Sequence, residues 1–261
     1  MDDIVTEHAG SILRVQLNRP TKRNAMTSAM YLALAGIFNE AANDDDTRVV
    51  VWHGAGDSFC AGNDIEDFLK NPPGAGESPQ ADLMNELVNF DKPLVAAVQG
   101  AAIGGGTTML THCDFIYAAE NAKFQMPFIN LALVPEFGSS CSVPARIGHL
   151  RAGELILLGS PFDAGRALEL GLVTEVVSDQ DVLTRATETA RKLATKPAAA
   201  LQASKRLLKQ PFREQIKAAM RAENAEFSAQ VRSEDAKEAL MAFLEKRMPD
   251  FTKSIKSPAT V

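Results

Sequence analysis

Residues Val95 to Thr108 read V-A-A-V-Q-G-A-A-I-G-G-G-T-T, an apolar run leading into three consecutive glycines, Gly104, Gly105 and Gly106. Such a strand–turn–helix junction can receive negative charge. Glycine lets another group approach the main chain closely, and the free N–H groups at a helix start lie at the positive end of its dipole. Taken alone, the turn fits an oxyanion site or a tight packing turn. A second turn, F-C-A-G-N-D-I over Phe59 to Ile65, follows the apolar run Val49–Trp52. By itself it reads as a helix start capped by Asn63 or Asp64. Together the two turns offer a pair of main-chain N–H groups at the ends of neighbouring strands, the arrangement that stabilises an enolate or a tetrahedral thioester oxyanion. Nucleotide loops are excluded, because Gly106 and Thr107 stand where a phosphate loop needs Lys and Ser/Thr, and Met109 stands where a dinucleotide turn needs its third glycine.

The elements that must position these turns follow from the hydrophobic pattern. Ile12 to Leu17 alternates as a half-buried strand that ends at Asn18-Arg19-Pro20. From about Thr27, the residues Met30, Leu34, Ile37, Phe38 and Ala41 recur at helical steps until Asp44-Asp45-Asp46. Val49–Trp52, Leu94–Val98 and Phe115–Ala118 read as buried strands, with a helix from the glycine turn to His112. Asp163 caps a helix through Leu170 that stops at Gly171, and Leu172–Val177 returns as a strand. Beyond Asp181 the pattern is helical, interrupted at Pro197 and Pro211, and Ser233-Glu234-Asp235-Ala236 begins the last helix. The Pro/Gly-rich stretch 71–79 reads as a surface loop.

Composition places the chain among ordinary globular proteins, with 261 residues of which 46% are hydrophobic and 23% charged. The start M-D-D-I-V-T-E is acidic, the end S-P-A-T-V carries no lipidation signal, and no apolar run spans a bilayer, so a cytoplasmic protein is expected. Cys60, Cys113 and Cys141 are too few and too scattered for a disulfide framework and read as reduced, structural residues. His8, His53, His112 and His149 lack metal-ligand spacing, and Ser139-Ser140 sits in no nucleophile elbow. The net charge of −6 is uneven: residues 1–184 hold 11 basic against 24 acidic side chains, and residues 185–261 hold 16 against 9. In the basic tail the charges alternate in sign at helical spacing, which fits a solvated helical face better than a nucleic-acid surface.

In combination, F-C-A-G-N-D-I, A-A-I-G-G-G, Cys113-Asp114, P-F-x-x-L-x-x-x-P-E-x-G-S-S (Pro127 to Ser140) and A-x-x-L-G-L-V (Ala167 to Val173) resemble the crotonase, or enoyl-CoA hydratase/isomerase, superfamily. Leu17-Asn18-Arg19-Pro20 and Asn24-Ala25-Met26 fit the same pattern, and the matches keep their order from about residue 12 to the C-terminus. The resemblance implies an α/β fold, a spiral of repeated β-β-α units over residues 1–195, with a helical region over 196–261 for trimerisation. It implies an acyl-CoA thioester as ligand, a homotrimer or dimer of trimers, no cofactor beyond the CoA of the substrate, and no metal, nucleic-acid or membrane partner.

Carried over residue by residue, the oxyanion donors are the backbone N–H groups of Asn63 and Gly105. Lys22 and Arg23 read equally as contacts to the CoA phosphates or as part of a solvated loop, and the resemblance places Ala25, Ala61, Asp64 and Ile65 along the CoA, and Phe243 and Lys246 at the CoA of a neighbouring subunit. Hydratases of the family place one acid two residues after the triple glycine and another after the proline matching Pro127. Here Thr108 and Phe128 stand at those positions, and neither exchanges protons near neutral pH. Glu136 reads from its position as a residue of the first turn of a helix Ser139–Ile147, and by resemblance as the single catalytic glutamate of the Δ3,Δ2-enoyl-CoA isomerase branch. Phe137 departs from the small residue usual there. Asp114 reads as a structural hydrogen-bonding residue, and 71–79 with Ala81–Phe90 as part of the acyl pocket wall. The expected activity is therefore a single-glutamate 1,3-proton shift taking a 3-enoyl-CoA to its 2-trans isomer. Hydration or thioester hydrolysis on the same scaffold, and RNA binding without catalysis, are the alternatives.

Overall fold

A computed structural model describes residues 2–71, 76 and 78–253. The first half alternates strands and helices: β1 (Ile4–Ala9), β2 (Ile12–Leu17), α1 (Ser28–Asn43), β3 (Val49–Gly54), α2 (Ile65–Lys70), α3 (Pro79–Asn89), β4 (Leu94–Val98), β5 (Ala101–Ile103) and α4 (Gly105–Thr108). There follow β6 (Phe115–Ala119), β7 (Lys123–Gln125), α5 (Ser139–Ile147), α6 (His149–Leu157), β8 (Phe162–Asp163), α7 (Ala164–Glu169), β9 (Glu175–Val177), α8 (Val182–Ala194), α9 (Ala198–Gln230) and α10 (Glu234–Leu244). A six-stranded sheet runs in the order β1-β2-β3-β4-β6-β9, parallel apart from the β1–β2 hairpin. A smaller sheet pairs β5 with β7 and β7 with β8.

The strand period of two divides the large sheet cleanly. Val49, Val51, Val95 and Ala97 face one way and pack under Val182, Ala186 and Ala190 of α8. Val50, Trp52, Leu94 and Ala96 face the main core with α1 and α3. There the Phe38 ring meets Trp52 and Phe90 edge-on, at 5.3 Å in each case. Met220 and Phe227 of α9 and Leu240 of α10 belong to this same core.

The expected caps are present: Asp163 accepts the Arg166 N–H, and the Ser233 hydroxyl accepts the Ala236 N–H. One strand is additional to those expected: the edge strand β1 carries no hydrophobic alternation, since five of its six residues are exposed, and pairing with β2 alone defines it. Other expectations change. The helix expected through His112 is α-helical only to Thr108 and tightens to a 3₁₀ turn over Met109–His112. The strand expected from Leu172 is confined to Glu175–Val177. Helix α9 continues unbroken through Pro211, which is exposed, as is Leu207 four residues earlier. On that solvent face the carbonyl that loses its intrahelical donor can bond water instead. The stretch read as loop also gives way to α3, whose start is set by Pro79 and by the Ser78 hydroxyl accepting the Ala81 N–H.

Cationic side chains fasten α9 to the β-spiral. Lys205 donates to Asp114 (2.6 Å) and to the Lys92 carbonyl (2.7 Å), Lys209 to the Leu87 and Phe90 carbonyls, and Arg213 to Asp91 (2.5 Å). Asp114 also accepts the Leu94 N–H at 2.7 Å, so one carboxylate joins the start of β4 to α9. This is the structural role expected for it. The Lys205 side chain is only 7% exposed, and removing its partner leaves a buried charge unpaired. Asp114→Ala is expected to lower unfolding free energy by about 3 kcal/mol or more in urea titration; a loss below about 1 kcal/mol would mean the pair contributes no more than a surface ion pair.

Candidate active site

Adjacent parallel strands β3 and β4 deliver the two glycine-containing turns to the same end of the sheet. Main-chain bonds then lock the turns together. Cys60 N–H donates to the Ala101 carbonyl and Ile103 N–H to the Cys60 carbonyl, each at 2.9 Å. On the other side, Met26 N–H donates to Gly62 and Asp64 N–H to Met26, each at 2.8 Å. A Cβ on Gly106 would stand 2.4 Å from the Cys60 carbonyl oxygen, so only glycine lets the helix start approach that strand. Within this lattice neither Asn63 N–H nor Gly105 N–H has a main-chain acceptor among the described residues.

Both residues line a cavity of about 320 Å³. Its walls are largely apolar, with Phe68, Phe128, Leu133, Phe227 and Leu240, and Glu136 supplies a carboxyl. A Cβ built on Gly105 would meet Glu136 Oε1 at 2.8 Å and the Tyr31 hydroxyl at 3.2 Å, so the carboxyl and the phenol both lie against this glycine. Glu136 Oε1 is buried without a hydrogen-bond partner. Burial raises its pKa to about 8, and the nearby Glu223 carboxylate adds to the rise. Tyr31, wholly buried, is pushed well above its ordinary range, first by burial and then by Glu136, and its hydroxyl donates to Asn63 Oδ1 at 2.7 Å. The Asn63 side chain is thus held away from helix capping, and Asp64 caps α2 by accepting the Glu66 and Asp67 N–H groups.

Glu136 lies three residues before α5, on a turn whose next two residues, Phe137 and Gly138, both have positive φ (62° and 68°). The Phe137 ring is fully buried and stands 6.4 Å from those of Tyr31 and His112. It fills core space, and burial of the ring offsets the left-handed backbone that a small residue would adopt at less cost. The Phe137 carbonyl accepts from His112 Nε2 at 2.8 Å, which fixes the proton on that nitrogen. Burial, with Lys209 nearby, pushes the His112 pKa down to about 3 and keeps the ring neutral.

The remaining residues singled out from sequence divide. Ala61, Ile65 and Phe243 line the cavity. The Asp64 side chain is engaged with Arg19 at 3.0 Å as well as with α2, and exposed Lys22 lies 3.8 Å from Glu66. Arg23 is exposed, Ala25 half-buried, and neither lines the cavity. Lys246 is also outside the lining. Its positive φ of 54° turns the chain so that Arg247, paired with Glu238 and Glu245, faces the cavity instead. Thr108 is buried and 3.4 Å from the Gly104 carbonyl, while Phe128 is an apolar wall. Beyond Glu136 a water-sized recess of about 10 Å³ continues between Ser78, Gln80, Met84 and Asn224. Of the stretch expected to form the acyl wall, Ser78, Gln80 and Met84 border this recess and none of its described residues lines the main cavity; residues 72–75 and 77 lie outside the described set. Sequence reasoning missed Tyr31, Arg247 and Glu223, whose roles arise only from long-range contacts. Cys60 and Cys113 are buried, and burial raises each thiol to about 12. Among the described residues no group of three or more His, Cys, Asp or Glu is placed to hold a metal ion, and no helix is long and apolar enough to cross a membrane.

A larger cavity of about 510 Å³ lies beneath α9, but Asp114, Lys205, Lys209 and Arg213 in its lining are those already engaged in docking that helix. The acid and the two main-chain donors belong to the smaller one.

Comparison with known proteins agrees with this geometry. A family described as enoyl-CoA hydratase/isomerase matches residues 7–254. The chain is 33% identical over 252 residues to 2,3-dehydroadipyl-CoA hydratase of Escherichia coli K12, covering 96% of this chain and 99% of that protein. It is 32% identical over 250 residues to enoyl-CoA delta isomerase 2 of Rattus norvegicus, covering 94% and 64%. The structure of Pseudomonas aeruginosa OdaA superposes with a TM-score of 0.91 at 42% identity, over 94% of this chain and 99% of that one. Main-chain turns, mixed α/β spiral and sequence likeness agree: the chain is a crotonase-fold member of the enoyl-CoA hydratase/isomerase family of enzymes.

Proposed function

We propose that the enzyme isomerises a 3-enoyl-CoA thioester to the 2-trans-enoyl isomer with Glu136 as its only acid–base group. The observation that carries this reading is the buried, unpartnered Oε1 of Glu136 lying against Gly105 in an otherwise apolar cavity. Glu136 removes a proton from the α-carbon, and the electron pair moves into the thioester carbonyl and the adjacent double bond to give a dienolate. The Asn63 and Gly105 N–H groups hold the dienolate oxygen. The protonated carboxyl then returns the same proton to the γ-carbon, so the reaction consumes no cofactor. A carboxyl with a pKa of about 8 can serve as base and then as acid near neutral pH. In the same reading, Ala61 and Ile65 flank the CoA, with Lys22, Arg23 and Arg247 at the rim for its phosphates, and Ala25, Asp64, Phe243 and Lys246 shaping the approach.

Hydration is the second reading, favoured by the recess beside Glu136, whose Ser78, Gln80 and Asn224 could hold one water. Against it, Phe128 and Thr108 provide no second carboxyl. Incubation with crotonyl-CoA and with a 3-enoyl-CoA separates the two, since only hydration removes the conjugated enone from the first. We also propose a trimer or dimer of trimers built through the C-terminal helices. Adjacent Leu207 and Leu208 on α9 expose 68% and 77% of their surface, apolar area that a second copy of the chain would cover.

Glu136→Gln should lower kcat for the 3-enoyl thioester by about 100-fold or more without weakening the binding of a saturated acyl-CoA, as read by calorimetry. Near-wild-type turnover would overturn the assignment. In the wild type, kcat/KM should climb about tenfold per pH unit below a midpoint near 8 and level off above it, following ionisation of the base. Gly105→Ala drives a methyl into the carboxyl and should cost roughly 100-fold in kcat. Asn63→Ala keeps its N–H and should cost far less.

Stability gives an independent check. The Glu136 pKa rises on folding from an ordinary 4.5 to about 8, so the native state holds the extra proton and loses stability as pH climbs between those values. Glu136→Gln should therefore unfold at the same urea concentration as wild type near pH 4 and at a higher one at pH 8. Identical midpoints at both pH values would show that the carboxyl is hydrated in the native protein.

A further inference from the structure

The turn that carries Glu136 is held by α9, a helix that begins some sixty residues later in the chain. Glu223 of α9 is 5% exposed, and its two carboxylate oxygens accept separate main-chain N–H groups: Oε2 from Gly138 at 2.7 Å and Oε1 from Ser140 at 2.8 Å. Ile216, Met220 and Glu223 stand at i, i+4 and i+7 on one face of the helix. The first two close directly on Gly138, where a Cβ would meet Ile216 Cγ2 at 2.6 Å and Met220 Cγ at 3.3 Å. From the opposite side His112 Nε2 grips the Phe137 carbonyl. Two consecutive left-handed residues are thus pinned at both ends, and Glu136 is the residue immediately before them.

We propose that Glu223 is a positioning residue for the Glu136 carboxyl: it clamps the Phe137–Gly138 turn through two N–H groups and sets a fixed negative charge behind the base. Burial raises the Glu223 pKa as well, but Glu223 accepts two N–H bonds that favour its ionised form, while Glu136 Oε1 accepts none, so Glu223 ionises first. Glu136 then meets one like charge from α9. The other titratable groups around it are the Tyr31 hydroxyl from α1 and the Cys60 thiol, both neutral near pH 7, and the neutral His112 ring behind Phe137. On the α5 side, Glu223 faces the Cys141 thiol, whose pKa is raised, first by burial and then by Glu223. The clamp and the charge act together: the turn fixes where the proton is taken, and the charge adds to burial in raising the pH range in which the carboxyl both takes and returns it.

The activity arm of the test rests on the isomerase reading, and a spectroscopic arm does not. The Glu136 titration is followed through the carbonyl stretch of its protonated form by infrared difference spectroscopy, assigned by its loss in Glu136→Gln. Glu223→Gln keeps the shape but removes the charge and one of the two N–H bonds. Its Glu136 midpoint should fall by about one pH unit or more, and the acid limb of kcat/KM should move with it. Its kcat at neutral pH should drop roughly tenfold with KM little changed. Glu223→Asp keeps the charge but shortens the reach, so the midpoint should stay high while kcat falls. An unmoved midpoint in Glu223→Gln overturns the proposal whatever kcat does, and if that variant fails to fold, a wild-type kcat in Glu223→Asp overturns it. A midpoint that falls in a protein showing no isomerisation supports the clamp and rejects the isomerase reading instead.

Discussion

The main-chain bridge between Cys60 and Ala101–Ile103 is the constraint on which the site depends. Two strands that are neighbours in a parallel sheet leave it side by side, and this bridge continues their pairing past the sheet edge into the turns at Asn63 and Gly105. The hydrogen bonds of this bridge are main chain to main chain, and side chains such as Tyr31 and Thr107 only buttress it. Glycine at 106 is required because the Cys60 carbonyl occupies the place of a side chain, and glycine at 100 because a Cβ there would stand 1.8 Å from the Asp57 carbonyl. The placement of these two N–H groups therefore depends little on the side chains around them, and what distinguishes this cavity is the set of side chains on its remaining wall.

That wall is where burial and charge oppose one another. An apolar lining desolvates the Glu136 carboxyl and so raises its affinity for a proton, at a cost to folding of roughly 1.4 kcal/mol per pKa unit. The expense is tolerable because the surrounding core is extensive: Trp52, Phe38, Phe90 and Phe59 form one continuous aromatic cluster behind α1 and β3. The opposing faces of the sheet are both covered, so the strands that carry the turns cannot shift without opening two cores.

Much of this was legible in the residues. The runs Val49–Trp52 and Leu94–Val98 declare themselves as buried strands, the glycines that follow mark the turns, and Asp163 and Ser233 mark helix starts. The family likeness also brought Glu136 forward where position alone suggested only a helix-end residue. What escaped is what depends on distant parts of the chain. Strand β1 has no pattern of its own and exists because β2 offers an edge. The Ser78-Pro79 helix start hides in a Pro/Gly-rich run, and α9 survives Pro211 because water can serve the freed carbonyl. Tyr31 and Glu223 look like ordinary helix residues until the fold brings them to Asn63 and Gly138. Lys246 and Arg247 exchange places at the cavity through one left-handed residue.

Among the described residues helix α9 makes no hydrogen bond to the turns at Asn63 and Gly105, yet it holds the turn that bears Glu136. Its anchors to the spiral, Lys205, Lys209 and Arg213, lie about three to five turns before Glu223 along the same rod. Loosening this one helix would therefore free the turn that bears Glu136, while the main-chain bonds between Cys60 and Ala101–Ile103 do not involve it. One rod thus couples the outer face of the sheet, through Asp114 and Asp91, to the backbone of a turn on the cavity wall, so a disturbance at either end reaches the other along a single helix.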